Sequence, residues 1–183
     1  MSGVIWHVTL SLDGFVSGPD HDVDWSFEQG EHGPFADEVM AATGAILAGR
    51  RWYDFVTARR DGVADLYGGA WKGPVYVLTH RPAHDPAATF LSGPIEDAVA
   101  TAKAAAGGKA VGLIGADVAR QAVEAGLVDE IVVHLAPILL GAGTRLYTGK
   151  RTALERTALH EAPQLTDLRF RPRPAPAATA PAS

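Results

Sequence analysis

Four short stretches of this chain carry residues able to grip an anion, and each sits where an apolar run ends. Gly49-Arg50-Arg51 follows the run Ala45 to Ala48, and Thr79-His80-Arg81 follows Val75 to Leu78. Gly115-Ala116-Asp117-Val118 follows Val111 to Ile114, and Asp13-Gly14 follows the run that begins at Val4. A glycine at a strand end permits a tight turn and a close approach to the backbone. A helix that starts just beyond it turns free N–H groups toward an anion, most often a phosphate. Two arginines at a helix start oppose the helix dipole. Either a bound anion or a surface carboxylate such as Asp54 or Asp61 must favour them there. Thr79, His80 and Arg81 bring together a hydroxyl, an imidazole and a guanidinium, and the guanidinium offers a planar fork to oxyanions.

These residues are positioned by a regular alternation of strands and helices. Val4 to Leu12 is an almost unbroken apolar run, the pattern of a strand covered on both faces. His7 lies inside it and reads as a satisfied core histidine ahead of a catalyst. Asp13-Gly14 is a turn signal. Asp20 to Gly33 holds five acidic residues, two histidines and Trp25, but its spacing fits neither a calcium loop nor a zinc motif. The stretch reads as a solvated loop with no metal, in which Trp25 packs on core or ligand. Pro34 starts a helix that runs to Thr43, with Asp37 and Glu38 in the first turn, where the dipole favours acids. Asp37 can be read as a catalytic acid as well as a dipole partner.

Thr57 to Gly73 is polar and contains glycine, as in a flexible loop. Val75 to Leu78 and Thr89 to Leu91 are short strands, and Pro94 to Ala106 is an alanine-rich helix stopped by Gly107-Gly108. After the strand Val111 to Ile114, Asp117 can cap a helix bearing Val118, Ala122 and Val123, which Gly126 ends. Ile131 to Leu135 then completes a βαβ unit if the two strands are parallel. Leu140 to Thr144 is a loop. Ala158 to Glu161 and Leu165 to Arg171 read as two antiparallel strands. Residues 1–172 form one domain by length, and the Pro/Ala-rich residues 173–183 form a disordered tail.

Composition narrows the function. The chain is 47% hydrophobic and 20% charged, within the range of soluble globular proteins. A net charge of −5 argues against non-specific binding to nucleic acid or to an anionic membrane. With no cysteine there is no disulfide, thiol nucleophile or cysteine-held zinc. No apolar run approaches the roughly 20 residues that span a bilayer, and the N-terminus enters a strand without a signal peptide. A cytoplasmic protein is expected.

In open α/β sheets ligands bind beyond the carboxyl ends of the strands, so four such ends point to a nucleotide cleft. The order and spacing of the pieces carry a family resemblance. Ser11-Leu12-Asp13-Gly14-Phe15, Asp24-Trp25, Leu47 to Asp54, Val77 to Pro82, Leu113 to Asp117, and the run from Gly126 through Leu140-Gly-Ala-Gly all contribute. The chain resembles the dihydrofolate reductase-like superfamily, and within it the riboflavin-biosynthesis reductases of the RibD C-terminal domain family, over about Val4 to Pro172.

That resemblance implies a three-layer α/β fold, with a central mixed sheet of about eight strands and helices on both faces. It also implies NADPH across the strand ends. On this basis Gly49, Arg50 and Arg51 hold phosphate, Thr79, His80 and Arg81 read the adenosine 2′-phosphate, and Gly115, Ala116, Asp117 and Val118 form the pyrophosphate turn. Asp13 and Trp25 rim the substrate pocket. Ala116 stands where the family usually has a second glycine, and Trp52 where it has threonine or a small polar residue. Asp37 and Glu38 lie near the acidic helix position of true dihydrofolate reductases, out of clear register with it. The zinc deaminase half of the bifunctional riboflavin enzyme needs cysteine ligands and is absent from this chain.

The implied activity is NADPH-dependent hydride transfer to a pyrimidine-like, pterin-like or related heterocyclic substrate; by family name, 5-amino-6-(5-phosphoribosylamino)uracil reductase. A dihydrofolate reductase proper, and a non-catalytic module that has lost NADPH affinity, are the alternatives. Water, Asp13 or Asp37 would supply the proton. A homodimer is expected, through the apolar strands near Val132 and Leu168.

Overall fold

Strands that run parallel must be covered on both faces, and the alternation of apolar runs and helices supplies both covers. The computed structural model describes residues 3–29, 33–59, 62–81 and 83–173. Its strands are β1 (Val4–Ser11), β2 (Phe15–Ser17), β3 (Thr43–Gly49), β4 (Val75–Leu78), β5 (Thr89–Leu91), β6 (Ala110–Ile114), β7 (Glu130–Ala136), β8 (Thr144–Arg145), β9 (Leu154–Glu161) and β10 (Thr166–Pro172). Its α-helices are α1 (Pro34–Ala42), α2 (Arg50–Arg59), α3 (Ile95–Ala105) and α4 (Ala116–Glu124). Eight strands form one sheet in the order β5-β4-β3-β6-β1-β7-β10-β9. The pairings from β5 through β7 are all parallel. β10 runs antiparallel to β7 and to β9, which makes the sheet mixed. This is the dihydrofolate reductase-like architecture expected from the sequence.

Alternation along the central strands divides the core. Trp6, Ala45, Leu47 and Leu113 face α3 and α4, which meet them with Ile95, Ala98, Val99, Ala102, Val118, Ala119 and Ala122. The many alanines let both helices lie close to the sheet. On the opposite face Ile46, Ala48, Val75 and Val77 pack against Tyr53, Leu66 and Trp71, while Ile5 and Val132 pack under Val39 of α1.

Several local expectations change. β6 and β7 are both parallel to β1, but β1 lies between them, so the unit around α4 is a crossover that skips one strand. Gly115, not Asp117, occupies the N-cap of α4, and no side chain caps it; Asp117 is the second helical residue. Pro94 is likewise the N-cap of α3. The connection after α2 is no free loop. Gly62–Gly69 forms a 3-10 segment, Leu66 and Trp71 are buried, and the Trp71 indole donates to the Thr43 carbonyl at 2.9 Å. The polar composition of that stretch concealed two core anchors. β9 begins four residues before the expected Ala158, because its exposed first half has no apolar pattern to read. Val132 is fully buried and β7 and β10 are interior strands, so the expected sheet-edge contact is unavailable there, while Leu168 is half-buried on the sheet face; the sheet's edges are β5 and β9, and on β9 Leu154 and Leu159 are exposed. Among the described residues, no helix is long and apolar enough to cross a membrane. The expected tail from 174 onward, Asp61 and Pro82 lie outside the described residues.

Gly44 shows how closely β3 and α3 are fitted. A Cβ there would stand 2.0 Å from the Ala106 carbonyl oxygen and 2.8 Å from the Lys109 Cβ. Gly44→Ala must displace backbone, and a loss of about 1–3 kcal/mol is expected, read as a lower urea midpoint at unchanged slope.

Candidate active site

The carboxyl ends of β1, β3, β4 and β6 open into one cleft of about 920 Å³. All ten positions expected to hold a cofactor line it: Gly49, Arg50, Arg51, Thr79, His80, Arg81, Gly115, Ala116, Asp117 and Val118. Two helices of about three turns begin at this cleft, α2 directly after β3 and α4 one residue after β6. Their unsatisfied N–H groups and positive dipole ends therefore converge on one space.

Two glycines make that convergence possible. Gly115 takes φ 102°, a conformation strained for any residue with a side chain. A Cβ on it would lie 3.5 Å from the Gly49 backbone nitrogen, and a Cβ on Gly49 would touch the Val118 Cγ2 at 3.4 Å. Gly115 alone carries the positive φ, and Ala116 begins α4 as an ordinary helical residue. Its methyl group therefore meets no backbone constraint, and the dihedral objection to alanine at this position disappears.

The two readings of the arginine pair divide between its members. Arg50 Nε donates to Asp54 Oδ1 at 2.6 Å. Arg81 Nη2 donates to Asp54 Oδ2 at 3.0 Å, so one carboxylate ties the α2 start to the β4 end. The Arg50 guanidinium also donates to the Arg81 carbonyl at 3.3 Å. Arg51 is exposed on the cleft wall. Thr79 is buried, and its hydroxyl accepts from the Arg81 N–H at 3.0 Å. It shapes the turn, while His80 and Arg81 project outward, the Arg81 side chain 68% exposed.

Charge favours an anion here. Among the described residues, Arg50, Arg51, Arg81, Arg120 and Arg145 line the cleft against the single carboxylate of Asp117, although the chain as a whole carries −5. For Asp117, desolvation raises the pKa, but hydrogen bonds from Arg120 and Gln121 prevail and hold the carboxyl below its usual range. Its charge is thus directed along α4 into Arg120, 2.9 Å away.

The three residues expected at the substrate side lie elsewhere. Asp13 is not a lining residue. Its carboxylate accepts from the Ser11 hydroxyl at 2.6 Å and from the N–H groups of Leu140 at 3.1 Å and Gly141 at 2.7 Å. The Ser11 bond above all, aided by those N–H donors, lowers its pKa to about 2. Asp13 is an ionised staple between two loops, without a proton to give near neutrality. Asp37 is exposed on α1 and outside the lining. Trp25 is buried with Ala136 and Leu165 beneath the loop, also outside the lining.

Residues that sequence reasoning passed over stand in their place. His7, Ser17, His21, Phe27 and Arg145 line the cleft. Arg145 arrives because β8 pairs with β2, a close contact in which a Cβ at Gly143 would overlap the Ser17 carbonyl at 1.9 Å. Strands of two and three residues leave no periodic signal to find. His7 Nε2 lies 2.6 Å from His134 Nε2, and His134 Nδ1 lies 2.6 Å from Asp167 Oδ1. The available signal was three polar residues at interior positions of three apolar strands.

The family profile of the RibD C-terminal domain matches residues 3–171, so the chain belongs to the RibD C-terminal domain family. Solved structures agree in fold. A Shewanella sp. PV-4 protein assigned to riboflavin biosynthesis superposes with TM-score 0.79 at 20% identity, covering 95% of this chain and 100% of that one. The Thermotoga maritima diaminohydroxyphosphoribosylaminopyrimidine deaminase/5-amino-6-(5-phosphoribosylamino)uracil reductase gives 0.64 at 14%, covering 94% of this chain and 57% of that one. Enterococcus faecalis dihydrofolate reductase, complexed with NADP(H), gives 0.61 at 12%, covering 94% and 97%. No curated protein matches the sequence.

The Asp13 staple has a pH signature. A carboxyl whose folded pKa is depressed stabilises the fold above its unfolded pKa, and that contribution is lost as pH falls toward the folded value. Asp13→Asn should therefore melt below the wild type at pH 6. The gap should close between the usual carboxyl value of 3.8 and about 2, followed by thermal melts across that window.

Proposed function

We propose that this chain is an NADPH-dependent reductase that delivers hydride to a pyrimidine-like or related heterocyclic substrate of the riboflavin pathway, in the manner of 5-amino-6-(5-phosphoribosylamino)uracil reductase. The observation that carries this reading is the convergence of two helix starts and five arginines on one cleft at the strand ends. The cleft's size, its arginines and the Gly49–Gly115 contact suit a long polyanionic dinucleotide better than a small neutral ligand.

In this reading the N–H groups from Gly115 to Val118 hold the pyrophosphate, with the α4 dipole behind them. Arg51 adds charge at the α2 start. His80 and Arg81 grip the 2′-phosphate at the outer end of the cleft, where Asp54 holds the Arg81 guanidinium in place. The bound cofactor would supply the hydride. The chain positions the electrophilic carbon against it, and apolar residues such as Val8, Val23 and Phe27 help to exclude water from that end of the cleft. With Asp37 exposed on α1 and outside the cleft lining, the dihydrofolate reductase alternative lacks its helix acid. The helical backbone at Ala116 removes one main support for a non-catalytic module.

Titration of NADPH fluorescence tests the reading directly, and absence of binding would reject it. Arg81→Ala should weaken NADPH about ten- to a hundredfold, the worth of a charged hydrogen bond, while leaving NADH nearly unchanged. Equal losses for both cofactors would remove Arg81 from the 2′-phosphate site.

A homodimer belongs to the same reading, now through the β9 edge, whose unpaired backbone and exposed Leu154 and Leu159 suit a two-fold contact. Light scattering at micromolar concentration should return twice the chain mass, and Leu159→Lys should shift it toward the monomer.

A further inference from the structure

With Asp13 ionised and Asp37 outside the cleft, water is the expected proton source that remains. The sheet offers another. β1, β7 and β10 lie side by side, with His7, His134 and Asp167 at interior positions, and His134 stands opposite both Thr9 and Asp167 in register. The His134 and Asp167 side chains are 1% and 0% exposed. His7 is half-buried and lines the cleft.

Hydrogen-bond direction along this row is constrained. The Asp167 carboxylate only accepts, so His134 Nδ1 carries hydrogen. In a neutral His134 the Nε2 must then accept, and His7 Nε2 donates to it across 2.6 Å. His7 Nδ1 is left as acceptor for the Tyr67 hydroxyl at 3.0 Å. Burial pushes the Tyr67 pKa up to about 12, so its hydroxyl keeps its hydrogen. Adding one proton to the histidine pair reverses the His7–His134 bond: His134 donates from both nitrogens, and His7 accepts at Nε2 and carries hydrogen on Nδ1. The added proton enters at His7 Nδ1, the acceptor at the cleft end of the row, and its charge passes back to His134 beside Asp167. Tyr67, a partner of His7 Nδ1, sits at φ 53° and is followed by two glycines of positive φ.

We propose that His7 is the proton donor of the reaction, and that His134 and Asp167 are positioning residues that orient and recharge it. The proposal rests on the reductase reading. As hydride from NADPH adds to the carbon of a substrate C=N or C=O, leaving NADP+, the π electrons move onto the heteroatom. That atom takes the hydrogen on His7 Nδ1. The His7–His134 bond reverts, and the pair returns to its neutral state until it takes a proton from water. Other charged groups near the row are His160 of β9, 3.6 Å from Asp167 Oδ2, and Arg169 of β10, which is engaged by Glu38 of α1 and by Glu130. Arg50 and Arg51 line the same cleft from α2.

The pair must be protonated to act, so turnover falls at alkaline pH. Without the Asp167 charge the pair holds its extra proton less tightly. Asp167→Asn, which keeps the side-chain shape, should move the alkaline limb of turnover to lower pH. It should also move the titration of the His7 and His134 ring nitrogens, followed by nitrogen-15 NMR without ligand, in the same direction. His7→Gln should bind NADPH as the wild type does, yet slow single-turnover reduction of 5-amino-6-(5-phosphoribosylamino)uracil about a hundredfold, within the usual contribution of a general acid. Unchanged turnover in His7→Gln, or a pH profile and ring titration unmoved in Asp167→Asn, overturns the proposal while leaving the cofactor reading intact. A wild-type chain that neither binds NADPH nor reduces this probe overturns the reductase reading itself, and the donor role with it.

Discussion

The contact between two glycine turns governs this molecule. Ala48 and Ile114 are direct partners across β3 and β6, so the residues that follow them leave the sheet side by side. Gly49 and Gly115 then lie against each other, with the Gly49 nitrogen 3.5 Å from where a Cβ on Gly115 would stand. Parallel pairing alone would bring two helix starts to the same end of the sheet. The side-by-side turns open them onto one cleft. A side chain at Gly115 would have ordinary contact room but a strained dihedral, φ 102°, so the backbone conformation is what restricts the position.

The arginines show how a chain of negative net charge keeps a positive cleft. Asp54 accepts from Arg50 and Arg81, and Asp117 and Glu124 accept from Arg120. These exposed pairs add little to stability. Their effect is to fix long, flexible side chains at the rim, so that less side-chain entropy remains to be lost when an anion arrives. The acidic excess lies elsewhere on the surface, and low-dielectric walls concentrate the field of the cleft.

The sequence revealed the elements whose patterns are dense. β4 and β5 fall where their apolar runs predicted, and α2 and α4 start where glycine interrupts a run. The ten positions expected to hold a cofactor could be placed at the cleft because each belongs to a strand-end motif, which needs only local rules. The opposite wall of the cleft was not legible. β2 and β8 are too short to have a period, and their pairing joins residues far apart in the chain. Asp13 looked like a site residue because an Asp-Gly turn beside a strand end has the same spelling whether its carboxylate faces a ligand or a loop. Only the positions of the Leu140 and Gly141 N–H groups decide it. His7 looked like core for the opposite reason: its partner His134 comes from β7, itself backed by Asp167 of β10, both more than a hundred residues further along.

The strand order separates the cleft into regions of different cohesion. The turns that line the cleft with glycine and arginine follow β3, β4 and β6, held from both sides by neighbouring strands. β9 and β10 form a hairpin at the far edge, close to the end of the described chain, and an edge hairpin is the part of a sheet that opens at the smallest free-energy cost. Asp167 travels with that hairpin. Fraying of the edge would leave the glycine turns untouched while withdrawing the carboxylate on which His134 rests. A fluctuation too small to loosen the glycine turns could therefore switch the polar row off and on, and amide hydrogen exchange in β10 would report its frequency.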